Sequence, residues 1–93
     1  MLFLFNSRIR PGVKRDQVVE YLKRCINPQE WDLVKKGVVA HWLFKVGDQP
    51  GILVVVNCDS IEQARTLADT APMARAGLVE FDVEPVDHFP HFE

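Results

Sequence analysis

Gly51-Ile52-Leu53-Val54-Val55-Val56-Asn57 is the stretch that decides how this chain of 93 residues folds. Five apolar residues stand in a row and four of them are β-branched, which favours an extended backbone. A strand with one wet face alternates polar and apolar residues. This one does not, so it predicts a strand buried on both faces. A chain this short has few elements with which to cover two faces of a sheet. The expectation is that its own helices cover one and a second copy of the chain covers the other.

Upstream, Leu2 to Phe5 is another continuous apolar run, continuing to Ile9 before the Pro11-Gly12 turn signal. Period two puts Leu2, Leu4, Asn6 and Arg8 on one face and Phe3, Phe5, Ser7 and Ile9 on the other. From Lys14 to Ile26 the apolar residues Val18, Leu22, Cys25 and Ile26 fall at helical spacing. Asn27-Pro28-Gln29-Glu30 has the form of a helix restart, with Pro28 predicting a kink or break. The second piece turns Trp31 and Val34 inward and stops at Lys35-Lys36-Gly37, cations in a last turn followed by a glycine. Val38 to Val46 is the next strand. Simple alternation groups Val39, His41, Leu43 and Lys45 against Ala40, Trp42, Phe44 and Val46. Gly47 to Gly51 is a hairpin loop leading directly into the opening stretch.

Downstream, Ser60 with Gln63 three residues on has the form of a capping box. It introduces a helix whose stripe is Ile61, Ala64, Leu67 and Ala68, limited by Pro72. Residues 71–77 connect, with room for another helical turn. Leu78 to Val86 alternates Val79, Phe81 and Val83 inward against Glu80, Asp82 and Glu84 outward. Pro85 marks it as an edge strand, because proline cannot donate to a ladder. The tail 87–93 is aromatic without periodicity.

The order βαββαβ is that of an α+β, ferredoxin-like domain spanning 1–93. It is a four-stranded antiparallel sheet with both helices on one face, because right-handed crossovers put them there. Strands one and three, the two without alternation, are then central. The face left bare is large and apolar, which marks an interface; two such sheets face to face make a dimeric α+β barrel. Apolar residues at 47% and charged at 26% fit a globular protein, and a chain of this size gains from oligomerising. Net charge is −2, so neither nucleic acid nor a membrane surface is called for. Cys25 and Cys58 have no zinc or redox spacing, Met1-Leu2-Phe3-Leu4-Phe5 is too short for a signal h-region and lacks a basic n-region, and no run is long enough to span a membrane. The expectation is a cytoplasmic homo-oligomer with free thiols.

The segment Leu33 to Gly47, with the spacing Leu-x3-Gly-x3-His, then Trp42-Leu43, then a glycine, resembles the muconolactone isomerases and related chloromuconolactone dehalogenases. Met1-Leu2-Phe3, Ser60-Ile61-Glu62, Pro72 and Glu80-Phe81-Asp82-Val83-Glu84 are similar to the same family. The resemblance implies the dimeric barrel, a small-molecule substrate, no cofactor, and proton transfer on a lactone or enolisable carbonyl compound between sheet and helices. Asn6, Ala40 and Phe44 stand where the family carries cations, and Asn57 where it carries an acid. Three missing cations argue against an anionic lactone acid and favour a larger apolar, polyketide-like substrate.

Such chemistry needs a base near the C–H and donors near the oxygen that gains charge. His41 matches the family's histidine, and imidazole is the usual side chain for proton transfer near neutral pH, which makes it the candidate base. Asn6 and Asn57, on the two central strands, are candidate donors to a developing enolate. Arg8, Trp31, Trp42 and Asp82 are candidate substrate contacts. The alternatives are a cyclase or cofactor-free monooxygenase on a polyketide-like substrate, and a dimer that binds a small ligand without turning it over. No metal-ligand spacing and no phosphate loop appears.

Overall fold

The structure is a computed structural model of the chain, and it describes residues 1–24 and 33–87. The elements are β1 (Leu2–Ile9), α1 (Arg15–Arg24), a helical turn at residues 33–35 (α2), β2 (Val39–Lys45), β3 (Gly51–Asn57), α3 (Ile61–Asp69), α4 (Pro72–Arg75) and β4 (Val79–Val86). The predicted Pro28 break and the inward Trp31 lie outside the described residues, as do Cys25 and the tail from His88.

The four strands form one antiparallel sheet in the order β2-β3-β1-β4. The α+β ferredoxin-like fold is therefore the one expected. The strands without alternation, β1 and β3, are the central pair, and β4 with Pro85 is an edge. Residues directly opposite one another share a face. Phe3 pairs with Val56 and Phe5 with Val54, and these face the helices. There they meet Val18 of α1, Ala64 and Ala68 of α3, Met73 of α4 and Val79 of β4. Phe3 and Val18 are fully buried; each side chain so buried contributes about 1.5–3 kcal/mol relative to exposure.

The same strands carry Leu2, Leu4, Leu53 and Val55 on the opposite face, where no helix lies, and each is only half-buried. Five apolar residues in a row thus do not mean five buried residues in the single chain. Every second one is left waiting for cover.

Two details of the strands stand out. Ser7, on the face of β1 that it shares with Phe3 and Phe5, is a polar residue only 2% exposed, and its Oγ accepts from the Ile52 N–H at 2.9 Å. A Cβ added to Gly51 would run into that hydroxyl, so glycine is what allows β3 to begin against β1. In β2 the register slips between Val39 and His41. Val39 pairs with Val56 and Trp42 with Val54, whereas His41 pairs with Val55. Val39 therefore lies with Trp42 on the helix side, not with His41 as alternation implied. A bulge adds one residue and breaks the period-two count.

The capping at α3 is as expected in kind and different in one partner. Ser60 Oγ accepts from the Gln63 N–H at 3.1 Å, while Gln63 Oε1 reaches past the cap to the Asp59 N–H at 2.7 Å.

Candidate functional site

An open cleft of about 390 Å³ lies between the sheet and the helices. Its floor is Phe5, Val54, Trp42 and Phe81, and its roof includes Leu67 and Pro72. The rings of Phe5 and Phe81 sit 6.0 Å apart, tilted by 49°. The volume is at the lower end of the ~300–1,000 Å³ of ordinary ligand sites. It suits a single substituted ring better than a polycyclic one.

The polar groups of this cleft are few. The Trp42 Nε1–H is shut off from solvent and has no hydrogen-bond partner among the described residues; a buried donor left so costs about 1–3 kcal/mol. Thr70 Oγ1 already donates to the carbonyls of Thr66 and Leu67. Lys36 and Arg75 complete the lining. Both are exposed overall, which puts their charged ends at the mouth, and among the described residues neither forms an ion pair. No Asp, Glu, His or Cys lines the cleft among the described residues.

The two cations are placed by one local device used twice. Val38 N–H donates to Leu33 O at 3.0 Å and Gly37 N–H to Val34 O at 3.1 Å. Leu78 N–H donates to Met73 O at 3.1 Å and Gly77 N–H to Ala74 O at 3.0 Å. Each set closes a helical turn through a glycine in the left-handed region, φ 76° at Gly37 and 77° at Gly77. Each turn then delivers the chain into an outer strand, β2 or β4. Lys36 directly precedes Gly37, and Arg75 stands two residues before Gly77. Lys36 reads in the sequence only as a helix stop, and Arg75 reads only as a linker residue. Their shared cleft is a product of topology.

The residues singled out from the sequence divide between the two sides of the sheet. Trp42 lines the cleft. Asn6, Arg8, His41, Asn57 and Asp82 all belong to the open face. His41 is exposed there, opposite Val55 and away from the cleft. Asn57 lies opposite Leu2 and Asn6 opposite Leu53, four residues apart along the strands, or roughly 13 Å. No hydrogen bond joins any two of Asn6, His41 and Asn57. Instead, Lys45 Nζ donates to Asn6 Oδ1 and to the Ser7 carbonyl, both at 2.9 Å. Arg8 Nε donates to Asp82 Oδ2 at 2.7 Å, and Glu80 stands 3.6 Å from Arg8 and 3.7 Å from Arg10. The hydrogen bond to Asp82 raises the pKa of the Arg8 guanidinium further. Trp31 lies outside the described residues.

A wider hollow of about 600 Å³ runs along β4. It takes Asn6, Asp82 and Glu84 from one face, Phe81 and Val83 from the other, and Arg65 and Asp69 from α3. A space fed by both faces of an edge strand is the flank of the sheet rather than a container. Cys58 is buried, and desolvation pushes its thiol pKa up, which disfavours the thiolate a nucleophile needs. Among the described residues no group of His, Cys, Asp or Glu is arranged to hold a metal ion. Among them, too, no helix is long and apolar enough to cross a membrane.

Among solved structures, the chain is similar to the 5-chloro-2-hydroxyhydroquinone dehydrochlorinase of Burkholderia phenoliruptrix AC1100, in complex with 2,5-dihydroxybenzoquinone. The TM-score is 0.69 at 20% identity, over 96% of each chain. At that identity the likeness is one of fold. No protein-family model matches the sequence, and no curated protein matches it.

Proposed function

We propose that this chain is a small enzyme of the isomerase or lyase type, similar to the muconolactone isomerases. It acts without a cofactor on a cyclic, enolisable compound held between sheet and helices, and two copies cover each other's open face. The observation that carries this reading is the cleft itself: apolar walls, aromatic floor, room for one ring, and one buried N–H without a partner. The muconolactone isomerase-like segments of the sequence and the dehydrochlorinase fold both agree with it.

Phe5, Trp42 and Phe81 exclude water from the ring. In a site emptied of water, a donor aimed at the oxygen that gains charge is worth far more than in solution. A shift of the Trp42 ring that opens its N–H to the cleft gives a substrate oxygen such a donor, and the N–H the partner it lacks among the described residues. The volume favours this reading over a cyclase or oxygenase acting on a polyketide-like substrate.

A second reading is favoured by one observation: five of the seven sequence candidates share the open face. There His41 is the base, Asn6 and Asn57 are the donors, and Arg8 and Asp82 contact the substrate, in a space closed by a second copy. Deuterium exchange into unsaturated lactones and hydroxylated quinols, followed by NMR, separates the two. The cleft reading expects exchange with wild type, a loss of at least tenfold in Trp42→Ala, and little change in His41→Ala. Exchange abolished in His41→Ala and intact in Trp42→Ala moves the chemistry to the open face. Binding without exchange leaves a ligand-binding dimer.

A further inference from the structure

We propose that the cleft selects the ionised form of its ligand, a ring compound carrying a phenolate, enolate or carboxylate, and that Lys36 and Arg75 are the residues that recognise the charge. The inference rests on the cleft being the ligand site. It adds the chemical class of what enters.

Three features support it. The charged groups lining the cleft are both cations, and among the described residues no carboxylate lines it to offset them. Neither cation is engaged in an ion pair among the described residues. By contrast, Arg8 on β1 and Arg10 just past its end both stand against acids of β4. Trp42, also of the wall, carries a donor-only N–H that has no partner among the described residues. Every free polar group of this space thus asks for an acceptor or a negative charge. Cations are common in last helical turns because they offset the helix dipole. Lys35, in the same turn as Lys36, is not part of the cleft, so the dipole alone does not account for where Lys36 points.

The consequence reaches the chemistry. No carboxylate, histidine or thiol lines the cleft among the described residues. A phenolate or enolate arrives with its O–H proton already gone, so the cleft has only to hold its charge. Lys36 and Arg75 also answer the three cations missing at Asn6, Ala40 and Phe44: the positive charge is supplied from the helical side instead of from the sheet.

The test is isothermal titration calorimetry with 4-nitrophenol, on both sides of its own pKa, and with its neutral methyl ether, 4-nitroanisole. The protein is the full chain, as wild type and as Lys36→Gln, Arg75→Gln and the double variant. Both positions are exposed, and circular dichroism checks that the fold survives. The expected result is that affinity rises as the phenol ionises, that each substitution weakens phenolate binding about tenfold, and that the ether binds alike to all four proteins. The phenolate advantage also shrinks with added salt. Equal affinity of wild type for phenolate and ether overturns charge selection while leaving the cleft as the ligand site. A phenolate preference that survives in the double variant overturns the roles of Lys36 and Arg75. If neither compound binds, or if binding is indifferent to Trp42→Ala, the site itself fails and the inference falls with it.

Discussion

The two faces of one sheet, built by the same four strands, have had different fates. On the helix side Phe3, Val54, Val56 and Val79 are buried and the wall opens at the cleft. On the other side Leu4, Leu53 and Val55 come from the same strands, often from the next residue, and remain half in water. Leu43 on this face is 56% exposed. Hydrophobicity alone does not distinguish them. What differs is whether the described chain has anything left to lay over them, and with its helices on one side it does not. A face this apolar is where a second copy gains most.

That contrast is sharpest in neighbouring residues. Phe3→Ala removes a fully buried ring, and the expected loss is about 3–5 kcal/mol, read by chemical or thermal unfolding. Leu4→Ala, one residue along and on the open face, should cost much less in dilute protein. If a second copy covers that face, the Leu4→Ala penalty grows with protein concentration, because dimer and fold are then linked; sedimentation velocity on the same samples shows the shift. A Leu4→Ala penalty equal to that of Phe3→Ala at every concentration would erase the distinction between the faces.

How much of this was legible beforehand follows from the same physics. The unbroken apolar runs at Leu2–Phe5 and Ile52–Val56 gave away the central strands, since only a central strand has two faces worth making apolar. Glu80, Asp82 and Glu84 alternating with Val79, Phe81 and Val83, closed by Pro85, gave away the edge. The bulge in β2 was not legible. Val38, Val39 and Ala40 are all small and apolar, so nothing in their side chains marks where the count slips, and Val39 went to the wrong face. His41, Asn6 and Asn57 were chosen as polar residues on strands, but strand period assigns only a shared face, not a side of the sheet with a cavity. Lys36 and Arg75 were passed over for a different reason. They lie 39 positions apart, each explained locally by a helix ending, and only the fold brings both endings to one opening.

The start of β3 offers a second way to probe the covered face. Gly51→Ala places a methyl where the Ser7 hydroxyl sits, in a buried spot that leaves little space for adjustment. The expected cost is about 1–3 kcal/mol. Ser7→Gly should recover part of it in the double variant, since the two side chains compete for one volume, although the Ile52 N–H then loses its acceptor. Additive penalties in the double-mutant cycle would mean that the strain lies elsewhere.

The smallest effect belongs to the charged flank of the open face. Asp82→Asn breaks the 2.7 Å contact with Arg8, which by geometry is the best ion pair in the described residues. Yet both side chains are about half exposed, and pairs so placed contribute about 0–1 kcal/mol in water. Arg8 also keeps Glu80 within reach at 3.6 Å, so it is not left alone. The expected change in the unfolding midpoint of the single chain is therefore near the limit of detection. A second copy laid over this face takes the pair out of water, and the cost of breaking it rises with the burial. A loss in Asp82→Asn that is negligible in dilute protein and appears only as concentration rises locates this pair inside the contact between copies; a loss indifferent to concentration leaves it on the outer rim.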